Sequence, residues 1–522
     1  MTSLASLVFA SADQYADRPA LEDERHALTY AELAAYVELF AQQMLASGLP
    51  AKGRVAIFLD KSVDACTLIL AAMHAGGIAV PLNPKLKPQQ LQYILDDCGA
   101  TLLFTTSARY RELKAFVDES KVRVLLCDRP DVLPDVSDSS HALHRAIDAD
   151  PAALLYTSGS TGNPKGVVVS HRNLLAGCRS VNSYLGTQQD DVILALLPIS
   201  FDAGLSQLST GIATGARVIL HTPMLAQTVA NLVARHHVTS ITAVPPLWSI
   251  VAQAQWDDVD TRSMRRFANT GGHMSAPLLA RLRQIFPGAE PFLMYGLTEA
   301  FRSTYLPPPE IDRRPDSIGK AIPDAEILVL REDGQPCEPH EPGELVHRGT
   351  LVTLGYWNDP IRTAERFRLL PSALAGGLTP EYAVWSGDMV KRDEEGFLYF
   401  IGRRDEMIKT SGYRISPTEI ENLIGVLPEV HEVAVFGVPA GDIGDAIYAT
   451  VAPQGGTAGA TDLSLMKAKL EEQCRHALPS YMWPQIIVMD ALPRSANGKL
   501  DRPLLKRRCV ETHREMQQEM TS

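Results

Sequence analysis

At 522 residues the chain exceeds what one ordinary hydrophobic core supports, so two or more domains are expected. Its 45% apolar and 21% charged residues are those of a globular enzyme, and 49 basic against 61 acidic side chains leave a net charge of −12, which disfavours general nucleic-acid binding. Seven scattered cysteines (Cys66, Cys98, Cys127, Cys178, Cys337, Cys474 and Cys509) show no Cys-x-x-Cys spacing, which argues against a disulfide framework or cysteine zinc site and for a reducing compartment.

The N-terminal stretch Met1–Ser11 lacks a basic leader and a long apolar core, so it reads as a first helix and not as a signal peptide. No apolar run is long enough to span a bilayer, and a cytoplasmic location is expected. Thr29 and Glu32 form a capping-box pattern at the start of a helix. Strand-like runs at 54–59, 78–82, 101–105 and 122–126 alternate with helical stretches such as 62–75, the pattern of parallel sheets covered by helices. Residues from about 130 to 150 read as a surface connection. Apolar runs of buried-strand length recur at 191–197, 216–220 and 240–244. After Pro307 shorter strands, 326–330 and 343–347, suggest a small barrel-like β subdomain, and 369–382 reads as an exposed loop. A second boundary is expected near Asp405, giving a large domain over 1–404 and a small, mobile α+β domain over 405–522, with a helix from Ser416, a strand at 433–437 and a helix over 462–477.

The segment from Tyr156 to Gly166 carries the strongest chemical signal. Hydroxyls, glycines and Lys165 follow a short apolar run, the composition of a phosphate cradle: Thr157, Ser158, Gly159, Ser160, Thr161 and Gly162 supply donors and close backbone approach, and Lys165 supplies charge. The spacing is not that of a Walker loop. Further stretches suit a nucleotide. Gly271 and Gly272, followed by His273, let a flat ring lie against backbone. Tyr295, Thr298 and Glu299 offer a stacking ring, a hydroxyl and a carboxylate, and a carboxylate beside phosphates suits Mg²⁺. Asp388 suits ribose hydroxyls, Arg403 is a fixed cation beside a possible pivot at Asp405, and Lys499 stands alone in a turn. Singly, each has a plain structural alternative, such as core packing for Tyr295, a helix cap for Asp388 or a solvated surface position for Lys499.

Together, from about Leu28 to Arg502, these segments resemble the adenylate-forming superfamily: acyl-CoA ligases, peptide-synthetase adenylation domains and luciferases. The stretches 292–305 and 405–414 are similar to AMP-forming acyl-CoA ligases associated with the exosortase A system, and coronafacate ligase is a further relative by this reading. The resemblance implies ATP and Mg²⁺, a small-molecule carboxylic acid, and CoA, an amine or a carrier protein as acceptor. It implies that residues 157–162 and Lys165 hold the β- and γ-phosphates, that Gly271, Gly272, His273 and Tyr295 hold adenine, and that Thr298 touches the α-phosphate. Glu299 would bind Mg²⁺, Asp388 and Arg403 the ribose, and Lys499 would bridge acid and α-phosphate. Asp405 would be the hinge of a domain swing that replaces Lys499 by the segment 409–414. The chain departs from the common pattern at Phe201-Asp202, where many acyl-CoA ligases carry Phe-His: Asp202 either pairs with a substrate ammonium or caps a helix from Ala203. Ser386 replaces the more usual Thr, and His273 stands where a small residue or an acid is common. Phe201, Asp202, Trp248, His273 and Leu297 are the candidate acyl-pocket residues.

Overall fold

The computed structural model describes residues 2–129, 133–136, 141–157, 164–223, 225–376, 379–404, 406–410, 413–440, 444–455, 460–494 and 500–521. The chain forms two compact units, Met1–Leu328 with Val346–Ser386, and Val329–Leu345 with Gly387–Ser522.

The first unit contains the strands β1 (Pro19–Glu22), β2 (Ala27–Thr29), β3 (Arg54–Ile57), β4 (Ile78–Pro81), β5 (Ala100–Thr105), β6 (Arg123–Leu126), β7 (Pro151–Thr157) and β8 (Lys165–Ser170). It continues with β9 (Val192–Ala195), β10 (Arg217–Leu220), β11 (Ser240–Ala243), β12 (Arg266–Asn269), β13 (Glu290–Tyr295), β14 (Thr304–Leu306) and β15 (Ser317–Ala321). One sheet runs in the order β6-β5-β3-β4-β7-β8, parallel except for the antiparallel β7–β8 pair. In the other, β1, β10, β9, β11, β12 and β13 are parallel neighbours in that order. Strands buried on both faces, such as β4, β11 and β12, need helices on either side, which the expected alternation supplies.

Local sequence sets these helices. Thr29 Oγ1 accepts from the Glu32 amide at 3.2 Å, and Glu32 Oε2 accepts from the Thr29 amide at 2.8 Å, closing the expected capping box at the start of helix Tyr30–Ala46. That helix buries Tyr30, Leu33, Val37, Ala41 and Met44, a stripe at helical spacing. Helix Val63–His74, capped by Ser62, is apolar nearly all round and lies within the core.

Next come β16 (Ala325–Leu330), β17 (Gly343–Gly349), β18 (Phe367–Leu369), β19 (Tyr382–Arg392) and β20 (Leu398–Arg403), in the region expected after Pro307 to hold short strands, of which β19 is longer, at 11 residues. β18 and β20 both pair antiparallel with β19. The second unit also holds a hairpin, β21 (Ile408–Thr410) with β22 (Tyr413–Ile415), and a sheet of β23 (Val430–Pro439), β24 (Asp445–Pro453) and β25 (Gln485–Val488). Alternation along β23 sends Val435 to one core with Ile420, Ile424 and Leu470, and Ala434, Phe436 and Val438 to another with Tyr448 and Leu505. This gives an α+β arrangement with helices on both faces of a small sheet.

All seven cysteines are free, and among the described residues no helix is long and apolar enough to cross a membrane.

Candidate active site

The phosphate-loop segment connects two antiparallel strands. β7 ends at Thr157 and β8 begins at Lys165, and the two residues are register partners. Ser158, Gly159, Ser160, Thr161 and Gly162 lie outside the described residues. At the rim, Thr157 Oγ1 is buried with no hydrogen-bond partner among the described residues. An orphaned hydroxyl beside such a loop is a donor awaiting an acceptor.

Lys165 is not isolated. Its Nζ lies 2.9 Å from Glu299 Oε1 and donates to Tyr356 Oη at 2.7 Å, while Tyr356 Oη donates to the same Glu299 oxygen at 2.6 Å. The ammonium also sits 4.2 Å from the centre of the Tyr356 ring. Lys165 and Glu299 side chains are only 18% and 13% exposed, so the pair is largely withdrawn from water. Burial pushes the Glu299 carboxyl up, but the Lys165 charge and the bonds from Tyr356 and Lys165 outweigh it and hold the group below its ordinary value. The phenol is pushed strongly upward by burial and by the Glu299 charge, so it stays a donor.

Tyr356 is the residue that sequence reasoning missed. The backbone of its segment adds to the edge of β8: Val168 N donates to Gly355 O at 2.9 Å, Trp357 N to Gly166 O at 2.8 Å, and Val167 bridges Tyr356 antiparallel. Gly355 adopts φ +112°, a conformation costly for a side-chain-bearing residue, and Thr363 Oγ1 accepts from the Tyr356 amide at 2.9 Å. A glycine before an aromatic was the available signal, but nothing local tied it to a lysine 191 positions away.

Glu299 lies in a short helical turn, Thr298–Ala300, directly after β13. Thr353 fixes it, since its amide and hydroxyl both donate to Glu299 O, at 3.0 and 2.9 Å. Phe301 follows at φ 58°, ψ −61°, a strained conformation for a residue with a side chain, and its ring is 1% exposed. The ring fills space above Gly177, where an added Cβ would come within 2.5 Å of it.

Tyr295, Gly271 and Gly272 stand at the carboxyl ends of adjacent parallel strands β13 and β12, where open α/β sheets bind ligands. Asn269 Nδ2 donates to Gly272 O at 2.8 Å and holds the glycine turn. His273 is exposed at the same edge. Phe201 occupies the cap position of helix Asp202–Thr214 and makes no side-chain cap bond. Asp202 is not the helix cap: it falls inside the first helical turn, and its carboxylate lies 3.4 Å from Arg302 Nη1. Leu297 packs against the main core. Trp248, expected on the acyl pocket, is a core residue: it has no exposed surface, its Nε1 donates to Ala268 O at 3.2 Å, and it meets Phe267 edge-on.

In the second unit, Asp388 on β19 and Arg403 on β20 are register partners, with Arg403 Nε 3.1 Å from Asp388 Oδ1. Gly387 takes φ +73°, and its amide donates to Glu344 Oε1 at 2.9 Å. Asp405 and Lys499 lie outside the described residues, and β21 carries the backbone of Lys409.

Among the described residues no group of three or more His, Cys, Asp or Glu side chains could hold a metal ion alone. A lone carboxylate such as Glu299 beside a phosphate site is the donor set Mg²⁺ accepts, since it keeps waters and takes substrate phosphates as ligands.

The fold and these clusters define a nucleotide-binding α/β enzyme with a small α+β unit following a large one. The family model for AMP-binding enzymes matches residues 8–357, and that for their C-terminal domain matches residues 419–499. The chain belongs to this family, the adenylate-forming superfamily that contains the acyl-CoA ligases. It is 31% identical to indoleacetate–CoA ligase of Aromatoleum aromaticum, covering 91% of each chain. It is also 31% identical to surfactin synthase subunit 2 of Bacillus subtilis over 97% of its own length, but spans only 14% of that much longer protein. Among solved structures, O-succinylbenzoate coenzyme A synthetase of Bacillus subtilis in complex with ATP and magnesium ion superposes with a TM-score of 0.81 at 29% identity, over 96% of this chain and 99% of that one.

Proposed function

We propose that this chain is an AMP-forming acid–thiol ligase, which joins a small carboxylic acid to the thiol of CoA at the expense of ATP. In the first half-reaction a carboxylate oxygen attacks the α-phosphorus, the bond to the β-phosphate oxygen breaks, and acyl-AMP and pyrophosphate result. In the second, the thiol sulfur attacks the acyl carbonyl, loses its proton to solvent, and AMP leaves. The observation that carries the reading is the Lys165–Glu299–Tyr356 cluster beside Thr157: a cation, a carboxylate and a buried hydroxyl with no partner among the described residues, at the ends of the strands flanking one segment. The names of the CoA ligases among its relatives support the acceptor.

The residues then take these roles. Thr157 and the 158–162 loop receive the β- and γ-phosphates. Lys165 exchanges its partner Glu299 for phosphate oxygens, and Tyr356 keeps the freed carboxylate oriented. Mg²⁺, held by Glu299 and phosphate oxygens, would supply charge neutralisation. Tyr295, Gly271, Gly272 and His273 flank adenine, Thr298 meets the α-phosphate, and Asp388 with Arg403 holds the ribose. Phe201 and Leu297 border the acid. Lys499 stabilises charge as the acid attacks, an electrostatic and positional role. Residues 1–404 bind both substrates, and residues 405–522, pivoting at Asp405, carry Lys499 away and bring 409–414 in.

Mass spectrometry of products, with CoA, amines and a carrier protein offered together across a panel of acids, tests the acceptor. A CoA thioester is expected. An amide formed without CoA would overturn the thiol assignment.

A further inference from the structure

Arg302 is 3% exposed and follows β13, at the carboxyl edge of the parallel sheet. Among the described residues its side chain bonds through Nη1, to Asp202 Oδ2 at 3.4 Å and to Thr270 Oγ1 at 3.2 Å. Its Nε is buried with no hydrogen-bond partner among the described residues. So are Ser200 Oγ, next to Phe201, and Asn269 Oδ1, next to Thr270. Ser200 follows β9 and Asn269 ends β12, both of which flank β11 as parallel neighbours, while Arg302 follows β13, which pairs with β12. Buried polar atoms are rarely left unpaired, and several gathered at the carboxyl edge of one parallel sheet point to a ligand group that pairs with them.

We infer that Arg302 is the specificity-determining residue of the acyl pocket and that the substrate is a carboxylic acid bearing a second, neutral hydrogen-bond-accepting group, such as a hydroxyl or carboxamide. The inference rests on the ligase reading above and narrows its substrate. Arg302 presents donors only, so the group it meets must accept. Asp202 already balances the guanidinium charge, so a second carboxylate would bring an uncompensated anion into a buried site. A plain hydrocarbon tail would leave Arg302 Nε and its neighbours unpaired. A neutral acceptor avoids both costs.

The test is pyrophosphate release with Mg-ATP across matched short- and medium-chain acids ending in methyl, hydroxyl, carboxamide or carboxylate. The wild type is expected to prefer hydroxyl- or carboxamide-bearing acids by about tenfold or more in kcat/KM over both other classes. Arg302→Met combined with Asp202→Asn removes both charges without stranding either, and is expected to bring that ratio close to one through a raised KM for the polar acid. A structural role alone would lower every acid alike and leave the ratio standing, which would refute the assignment to Arg302. Equal use of all four classes, or preference for the methyl or dicarboxylic acids, by the wild type refutes the inference even if the double variant does not fold. Pyrophosphate release with no acid at all would refute the ligase reading itself, an outcome distinct from release without discrimination.

Discussion

Replacing Glu299 by Gln keeps a hydrogen-bond acceptor of the same shape and removes the charge. At 2.9 Å, and with an effective dielectric of about 20, the Lys165–Glu299 attraction is roughly 6 kcal/mol before desolvation is counted. Breaking one partner of a buried pair costs about 3–5 kcal/mol, and the remaining amide bond returns about 1 kcal/mol. The ligand-free variant should therefore be destabilised by roughly 2–4 kcal/mol, seen as a thermal midpoint several degrees lower. Loss of a charged Mg²⁺ ligand should raise the Mg²⁺ concentration for half-maximal pyrophosphate release at least about tenfold, which corresponds to about 1.4 kcal/mol. Nucleotide without metal should bind no worse, because Lys165 no longer has to leave a carboxylate. Differential scanning fluorimetry with and without ATP, and a Mg²⁺ titration of pyrophosphate release, read both effects. An unchanged Mg²⁺ requirement would refute the metal assignment, and an unchanged midpoint would refute the energetic account of the pair.

Other consequences follow from the same geometry. Tyr356→Phe removes the bond to Glu299 and the acceptor for Lys165; a loss of about 1.5–3 kcal/mol should appear as a KM for ATP roughly tenfold or more higher, and wild-type kinetics would show that the phenol is incidental. Lys499→Ala should abolish adenylate formation yet leave thioester formation from supplied acyl-AMP largely intact, and equal loss of both would contradict the swinging domain. His347 and His171 are buried, and burial pushes their values down to about 3 and about 4. Both are neutral in the fold, whereas the unfolded chain takes up protons below about pH 6.5, so their contribution is whole above that pH and is lost as pH falls toward 4 and then 3. Urea midpoints should drop across this window, and His347→Gln should flatten the slope; an unaltered slope would remove His347 from the account.

The parts of the fold that were legible are those written in local chemistry. The Thr29–Glu32 capping box, the alternation of short apolar runs with helices, and the helix expected from Ser416, which forms over Pro417–Gly425 with Ser416 at its cap, all act over a few residues. The cap reading of Asp202 fails because a good cap residue one position past the actual cap looks the same in sequence; its ion pair with Arg302 spans 100 positions. Size and aromaticity in the sequence do not distinguish a pocket wall from a core; the complete burial of Trp248 and its indole bond to Ala268 O place it in the core. Tyr356 escaped notice because its place beside Lys165 comes from backbone pairing between β8 and the segment at Gly355, which leaves no local signature. Arg302 lay inside a stretch noted for its resemblance, but its orphaned Nε exists only once β12, β13 and the Asp202 helix are assembled.

The central claim is that one loop, one lysine–carboxylate pair and the sheet edge beside them bring an acid to the α-phosphorus of ATP. Acid-dependent exchange of labelled pyrophosphate into ATP, measured on the full chain with Mg²⁺ and no CoA, tests it most directly. The account predicts exchange that needs an acid and is lost in Lys165→Met. Exchange absent with every acid, or undiminished in Lys165→Met, would contradict it.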